Sequence, residues 1–306
     1  MRGFIFLARH GRWVLPAGLV VGTGFPALAQ AMAPLIVPLL GALLFLAALR
    51  VGPAAMPRGR MVPAALGLAA VMQVVPPLVA VGVLGALGLL DTLLAVGVVL
   101  VLAASPITGA PGLAILSGAD PAPALRQMVL GTAILPLTVL PVFALLPVFD
   151  APSEVMLATL RLLGVVAVAG LGGLALRRAV PWLGTVQAVP AIDGLTALGM
   201  GVLVVALTSA LGPALLSGTW ELWGVLALVV ALNFGAQLVA LAIAGRGPQA
   251  PSFAIVAGNR NLALFLTALP PETAQALLLF VGCYQVPMFL TPLLLAPVYR
   301  RIAQGG

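Results

Sequence analysis

AIVAGNRNLALFL, residues 254–266, is apolar at both ends and carries Asn259, Arg260 and Asn261 in its middle. An arginine at the centre of a membrane helix costs about 2.5–3.5 kcal/mol on insertion scales. Its guanidinium must therefore meet a partner. Gly258, just before the polar triplet, permits backbone shapes that other residues resist. The stretch reads as a membrane helix interrupted at its polar centre, and that reading organises the rest of the chain.

Composition sets the solvent. The chain has 306 residues, 62% of them hydrophobic and 7% charged, with a mean hydropathy of +1.23. A soluble domain carries about 25% charged residues. Too little polar surface remains to face water, which makes this an integral membrane protein. The formal charge of +7 comes from arginines scattered between apolar runs, so nucleic acid is not an expected partner. Cys283 and His10 are the only residues of their kinds, which excludes an internal disulfide and a zinc cluster. No cofactor and no metal are expected. An intramembrane enzyme would need an activated nucleophile, paired carboxylates or a metal. The chain has no HExxH, no GxSxG and no acidic pair at membrane depth, so it is not read as an enzyme.

A spanning helix takes about 20 apolar residues. Ten candidates fit, near 12–29, 33–49, 61–87, 92–117, 122–147, 155–176, 189–212, 220–244, 251–269 and 273–298. With the N-terminus inside, the cytoplasmic segments hold Arg2, Arg9, Arg12, Arg50, Arg58, Arg60, Arg126, Arg177, Arg178, Arg246, Arg300 and Arg301. The opposite side holds no arginine, only Asp91, Asp150, Glu154, Glu221 and Glu272. This positive-inside bias places both termini in the cytoplasm of a multi-pass protein, expected in the cell (inner) membrane. The N-terminal stretch up to Gln30 imitates a cleavable signal peptide. Its arginines continue to Arg12, and cleavage would leave nine spans, so a first membrane span is the expectation. Trp220 and Trp223 read as interface anchors.

Ten spans divide into five plus five, which inverts the second half relative to the first. Inverted repeats mark secondary transporters, whose sites lie where paired helices break at the midplane. Segment 4 contains SPITGAPG, residues 105–112, and segment 9 contains GNRN, residues 258–261. Pro106 and Pro111 remove helical donors, and Gly109, Gly112 and Gly258 free the backbone. Pro106, Pro111, Gly112 and Gly258 are the expected helix-breaking residues. Unwound backbone at membrane depth is viable only when it is buried in protein or lines a cavity.

These residues carry a resemblance. Val99–Leu146 resembles the fourth and fifth helices of the bile acid:sodium symporter family, Ser252–Leu269 resembles the ninth, and GFPALAQ, residues 24–30, is similar to the end of the first. The resemblance implies an all-α fold of ten transmembrane helices in two inverted repeats, residues 1–150 and 151–306. Helices 1, 2, 6 and 7 would form a panel, and helices 3–5 and 8–10 a core in which helices 4 and 9 unwind and cross. The family's ninth helix typically reads Glu-x-Gly-x-Gln-Asn-x-Gly, and the Glu and Gln that bind sodium stand here as Val256 and Arg260. In the fourth helix the Ser and Asn ligands stand as Pro111 and Gly112. A Gln of the third helix survives as Gln73, to within one residue of register. The resemblance therefore implies a carrier that works without sodium.

Arg260 then reads as a tethered replacement for the metal ion. It would steady the crossing and present its planar fork to the anionic group of a solute. Its candidate partners are carbonyls freed in segment 4, side chains of Asn259, Asn261, Thr108 or Gln73, a bound anion, or Asp193, the nearest intramembrane carboxylate. The alternative role is a structural lock on segment 4 carbonyls, in a sodium- or proton-coupled symporter. Ser105, Thr108, Gly109, Gln73, Gly258, Asn259, Arg260, Asn261, Asn233 and Gln237 are the expected substrate-binding residues. Asn233 and Gln237, spaced i and i+4, share a helix face and either line the cavity or join helices. Tyr284 and Gln285 are secondary candidates beside a bend at Pro287. Arg161 is expected to reach toward Glu154 and Asp150. The function expected is alternating-access transport of a small organic anion, with the lipid bilayer as the other partner. An auxin-carrier-like or arsenite-efflux-like transporter of related fold is the alternative.

Overall fold

A computed structural model describes residues 2–51 and 61–304, so Arg58 and Arg60 lie outside the described residues. In chain order the helices are α1 Arg2–Gly24, α2 Pro26–Met32, α3 Ile36–Val51, α4 Met61–Ala86, α5 Leu93–Ala103, α6 Ala110–Ser117, α7 Pro121–Phe143 and α8 Pro152–Ala179. There follow α9 Val189–Leu207, α10 Leu211–Ser217, α11 Trp220–Ala244, α12 Ala250–Gly258, α13 Pro271–Ala276, α14 Leu278–Leu294 and α15 Ala296–Gln304. Among the described residues there is no strand, and the only extended pairing is an isolated antiparallel bridge between Pro106 and Arg260. This is an all-α membrane protein.

Six helical runs among the described residues are long and apolar enough to cross a membrane: Pro26–Val51, Val62–Ala86, Pro121–Phe143, Pro152–Ala179, Val189–Leu207 and Trp220–Ala244. A seventh forms if Leu278–Leu294 and Ala296–Ala303, bent by 50°, count as one. Whole helices thus stop short of ten. The difference lies in three expected segments that the structure divides: 12–29 at Phe25, 92–117 between α5 and α6, and 251–269 after α12. Phe25 precedes a proline, which disfavours helical backbone, and it adopts φ −124°, ψ 72°. Trp220 and Trp223 are exposed at the start of α11, as an interface anchor would be.

The chain forms two compact units. Unit 1 comprises Met1–Met56 and Leu163–Leu222. Here α1 and α9 pack so closely that small residues are required. A side-chain carbon on Gly18 would lie 2.7 Å from the Gly201 carbonyl oxygen, and one on Gly22 would lie 2.8 Å from that of Val205. Gly18 and Gly22 form a GxxxG pair, the spacing that lets membrane helices bring their backbones together. Gly173 of α8 likewise lies against the backbone of Phe45 and Leu49 in α3. The last carbonyls of α3 have no helical donors. Arg177 supplies them, donating to Leu49 O at 2.6 Å and Arg50 O at 3.2 Å. Arg50 pairs with Asp193 at 2.7 Å, so that carboxylate is not the partner of Arg260. Replacing Gly22 with leucine is expected to cost about 1–3 kcal/mol through overpacking. A melting temperature unchanged from wild type in detergent would rule out this close packing.

Unit 2 comprises Pro57–Leu162 and Trp223–Gly306. Gly97 of α5 lets the Phe280 ring of α14 come close to its backbone, with ring atoms 2.9 Å from where a side-chain carbon would stand. Phe143 of α7 meets Phe265 edge-on at 5.6 Å between centroids. A buried apolar cluster joins Ala110, Leu113 and Ala114 of α6 to Ala254, Ile255 and Val256 of α12 and Tyr299 of α15. These contacts fix the two half-helices, α6 and α12, whose ends meet in the candidate site.

Candidate functional site

Both interruptions arise where backbone donors are missing or diverted. Pro106 has no amide hydrogen, so α5 ends at Ala103 and residues 104–109 leave the helix. Pro111 and Gly112 do not belong to this break. They stand in the first turn of α6, where a proline's fixed φ favours the helix and its missing donor goes unused. Gly109 precedes that turn at φ −80°, ψ 0°. In the other open stretch α12 ends at Gly258, and the chain resumes as a 3-10 turn at Leu262–Thr267. The two open stretches pair antiparallel. Asn261 N donates to Ser105 O at 2.7 Å, and Ile107 N donates to Asn259 O at 2.9 Å.

Arg260 lies at the centre and is buried. Its Nε donates to Ala257 O at 2.9 Å, Nη1 to Ala104 O at 2.9 Å and Nη2 to Met72 O at 3.2 Å. Each of these carbonyls has a local reason to be free. The helical donor for Ala257 O would be the amide of Asn261, which is given to Ser105 instead. Ala104 lies in the break after α5. Met72 has Pro76 four residues on, and proline offers no amide hydrogen. A guanidinium carries five N–H donors. Three bonds among the described residues leave two hydrogens, one on each Nη. No carboxylate pairs with Arg260 among the described residues.

The expected residues then separate into groups. Gln73 is buried but serves α7, donating to Gly131 O at 2.9 Å and accepting from Thr138 Oγ1 at 2.6 Å. Its neighbour Met72 supplies the contact to Arg260. Ser105 Oγ accepts from Thr132 Oγ1 at 3.2 Å. Asn233 and Gln237 of α11 are fully buried and bonded to each other, Gln237 Nε2 to Asn233 Oδ1, at 2.6 Å. Asn233 Nδ2 also donates to Gly258 O at 2.6 Å, which satisfies the end of α12. Asn259 Nδ2 turns back to Ile255 O at 2.8 Å. Tyr284 Oη also donates to Gly258 O. Of the expected residues, two keep side chains without a hydrogen bond among the described residues: the Asn261 amide, which is buried, and the Thr108 hydroxyl, which is half-buried.

Two further residues join this network that were not among the expected ones. Thr291 of α14 accepts from Gln237 Nε2 at 3.0 Å and donates to Asn259 Oδ1 at 3.3 Å. Tyr299 of α15 donates to Gln237 Oε1 at 2.6 Å. The spacing of Thr291 seven residues after Tyr284 puts both on one face of α14, and that period was available in the sequence. Tyr299 stands next to Arg300 and Arg301 near the end of the chain, and no spacing there ties it to Gln237. Arg161 makes no ion pair among the described residues, contrary to expectation. Glu154 accepts from the Asp150 amide at 3.0 Å instead.

Compared with models of known protein families, the chain matches none, and no curated protein matches it significantly.

Proposed function

We propose that this chain is a secondary carrier for a small organic anion, working by alternating access without sodium, in a ten-span inverted-repeat fold. The observation that carries the proposal is the caged guanidinium. Three carbonyl oxygens from α4, the α5 break and α12 converge on one buried positive charge. Converging carbonyls are how unwound membrane helices hold a sodium ion or proton-coupled site. Here the cation is covalently tethered. Val256, which stands where the resembled family has a sodium-binding Glu, is buried in an apolar cluster without an oxygen ligand of its own. The ten-span reading counts the divided segments α5–α6 and α12 with its 3-10 turn as crossings. Unit 1 holds the segments which that reading assigns to panel helices 1, 2 and 7, together with helix 6 from Leu163 onward, while the start of helix 6 belongs to unit 2 with the core segments.

Three carbonyl bonds favour Arg260 as the brace of the crossing over a clamp on solute. The fixed charge would keep the two open stretches paired in every state of the cycle, where a sodium carrier needs its ion bound. Asn261 and Thr108 remain as uncommitted polar groups for the solute.

The reading is tested by thermal unfolding of the purified protein against organic anions, with choline as the sole counter-cation. Stabilisation by at least one anion in choline, unchanged when sodium replaces it, is the expected result. Stabilisation by sodium chloride alone would overturn the proposal.

A further inference from the structure

Of fourteen arginines, twelve lie in segments read as cytoplasmic, which leaves Arg161 and Arg260 within the spans. Arg260 spends its charge on carbonyls of its own chain. An anion carrier still needs a cation for its solute, and only Arg161 remains at membrane depth. It stands nine residues after Pro152 in α8, about 14 Å along the helix at 1.5 Å per residue. Its side chain is exposed, and it has neither an ion pair nor a hydrogen bond among the described residues. Its large exposed neighbours on α8 are Met156, Leu157, Leu160, Leu163 and Val168, all apolar, and the nearest exposed carboxylate on its face is Glu154, seven residues earlier. The other polar residue of that stretch, Thr159, is buried and bonds back to Val155 O at 2.8 Å. The carboxylates closest in sequence do not take the charge, since Glu154 serves the Asp150 amide. Ionisable side chains inside spans are rare and mark ligand or ion paths.

We propose that Arg161 is the cation that recognises the anionic group of the solute, a carboxylate, sulfonate or sulfate. The inference rests on the carrier reading above and assigns its charge selectivity to α8. A guanidinium suits this role because its planar fork meets two oxygens of one anion at once. Such a group would add affinity and leave the brace at the crossing undisturbed.

Phenylglyoxal, which modifies water-accessible guanidinium groups, gives a direct test on the wild-type protein in vesicles. Modification is read by peptide mass in phosphatidylcholine vesicles, with potassium benzoate, potassium sulfate or potassium chloride. Arg161 is expected to react, and benzoate or sulfate to slow its reaction several-fold relative to chloride. Absence of reaction overturns the inference, as does reaction that neither anion slows. Protection seen only when phosphatidylglycerol is added also overturns it, because the guanidinium then serves lipid headgroups. In uptake assays with the best-stabilising anion, R161Q is expected to raise the half-saturating concentration about tenfold or more, with R161K recovering part of it. Uptake with an unchanged half-saturation in R161Q sinks the inference and leaves the carrier reading standing. Protection of Arg161 by an anion that never crosses the membrane does the opposite.

Discussion

Replacing Arg260 with alanine is expected to remove most of the folded protein. Two buried carbonyls, of Ala257 and Ala104, and the half-buried one of Met72 lose their donors together, and each unsatisfied buried group costs about 1–3 kcal/mol. Local rearrangement recovers part of this, so a loss of about 3 kcal/mol or more is expected, large for one substitution. The loss should be specific to a missing cation. Guanidinium ion at concentrations that leave the wild type unaffected should raise the melting temperature of R260A, since it fits the vacated cage. The double variant R260Q with V256E goes further. It restores the Gln and Glu that the resembled family uses for sodium, in a cage that already offers the carbonyls of Ala257, Ala104 and Met72. A sodium-dependent stabilisation absent from the wild type is expected, about 2.7 kcal/mol at a hundred times the dissociation constant. An R260A protein that melts like the wild type would reject the brace.

How much of this was readable beforehand differs from residue to residue. The interruptions were legible, because Pro106 and the GNRN run leave no other account of an apolar segment with a charge at its centre. Their limits were not. Pro111 looks like a helix breaker in sequence, yet in the first turn of a helix the same ring is an asset, and only the position of α6 tells the two apart. That Arg260 needed oxygen partners followed from desolvation alone. Which oxygens was harder. Met72 is the instructive case: VMQVVPP, residues 71–77, announces a carbonyl freed by Pro76, but that it faces Arg260 is a fact of packing between distant segments. Gln73 drew attention as a side chain, whereas its neighbour's backbone does the bonding. The i, i+4 spacing of Asn233 and Gln237 correctly put them on one face, while their partners Thr291 and Tyr299 lie on helices brought in by tertiary contacts. Counting spans by hydropathy alone cannot distinguish a whole helix from two halves, since apolar composition persists through the break.

Substituting Gly258 with alanine is expected to disable the crossing more cleanly than any change to its polar residues. Gly258 is the last residue of α12 and is buried. A methyl group there would be driven into the backbone carbonyl of Asn233 and the side chain of Gln237, with Gln237 Cδ only 3.0 Å away. The obstacle is backbone on one side and a fully buried amide on the other, so neither can step aside freely. Asn233 and Tyr284 both donate to the Gly258 carbonyl, and Gln237 is held in turn by Thr291 and Tyr299. Displacing α12 from α11 therefore breaks a connected set of hydrogen bonds, and such networks lose more than the sum of their pairs when one member moves. Overpacking of this kind costs about 1–3 kcal/mol before those losses are added. Hydrogen exchange should report where the damage falls. Amides of residues 255–263 and 104–109 are expected to lose protection together, since Asn261 N and Ile107 N tie the two stretches to each other. Unit 1 helices such as α9 should keep theirs. Exchange that rises only in α11, with the paired stretches still protected, would mean that the network does not hold the crossing and that the backbone bridge stands without it.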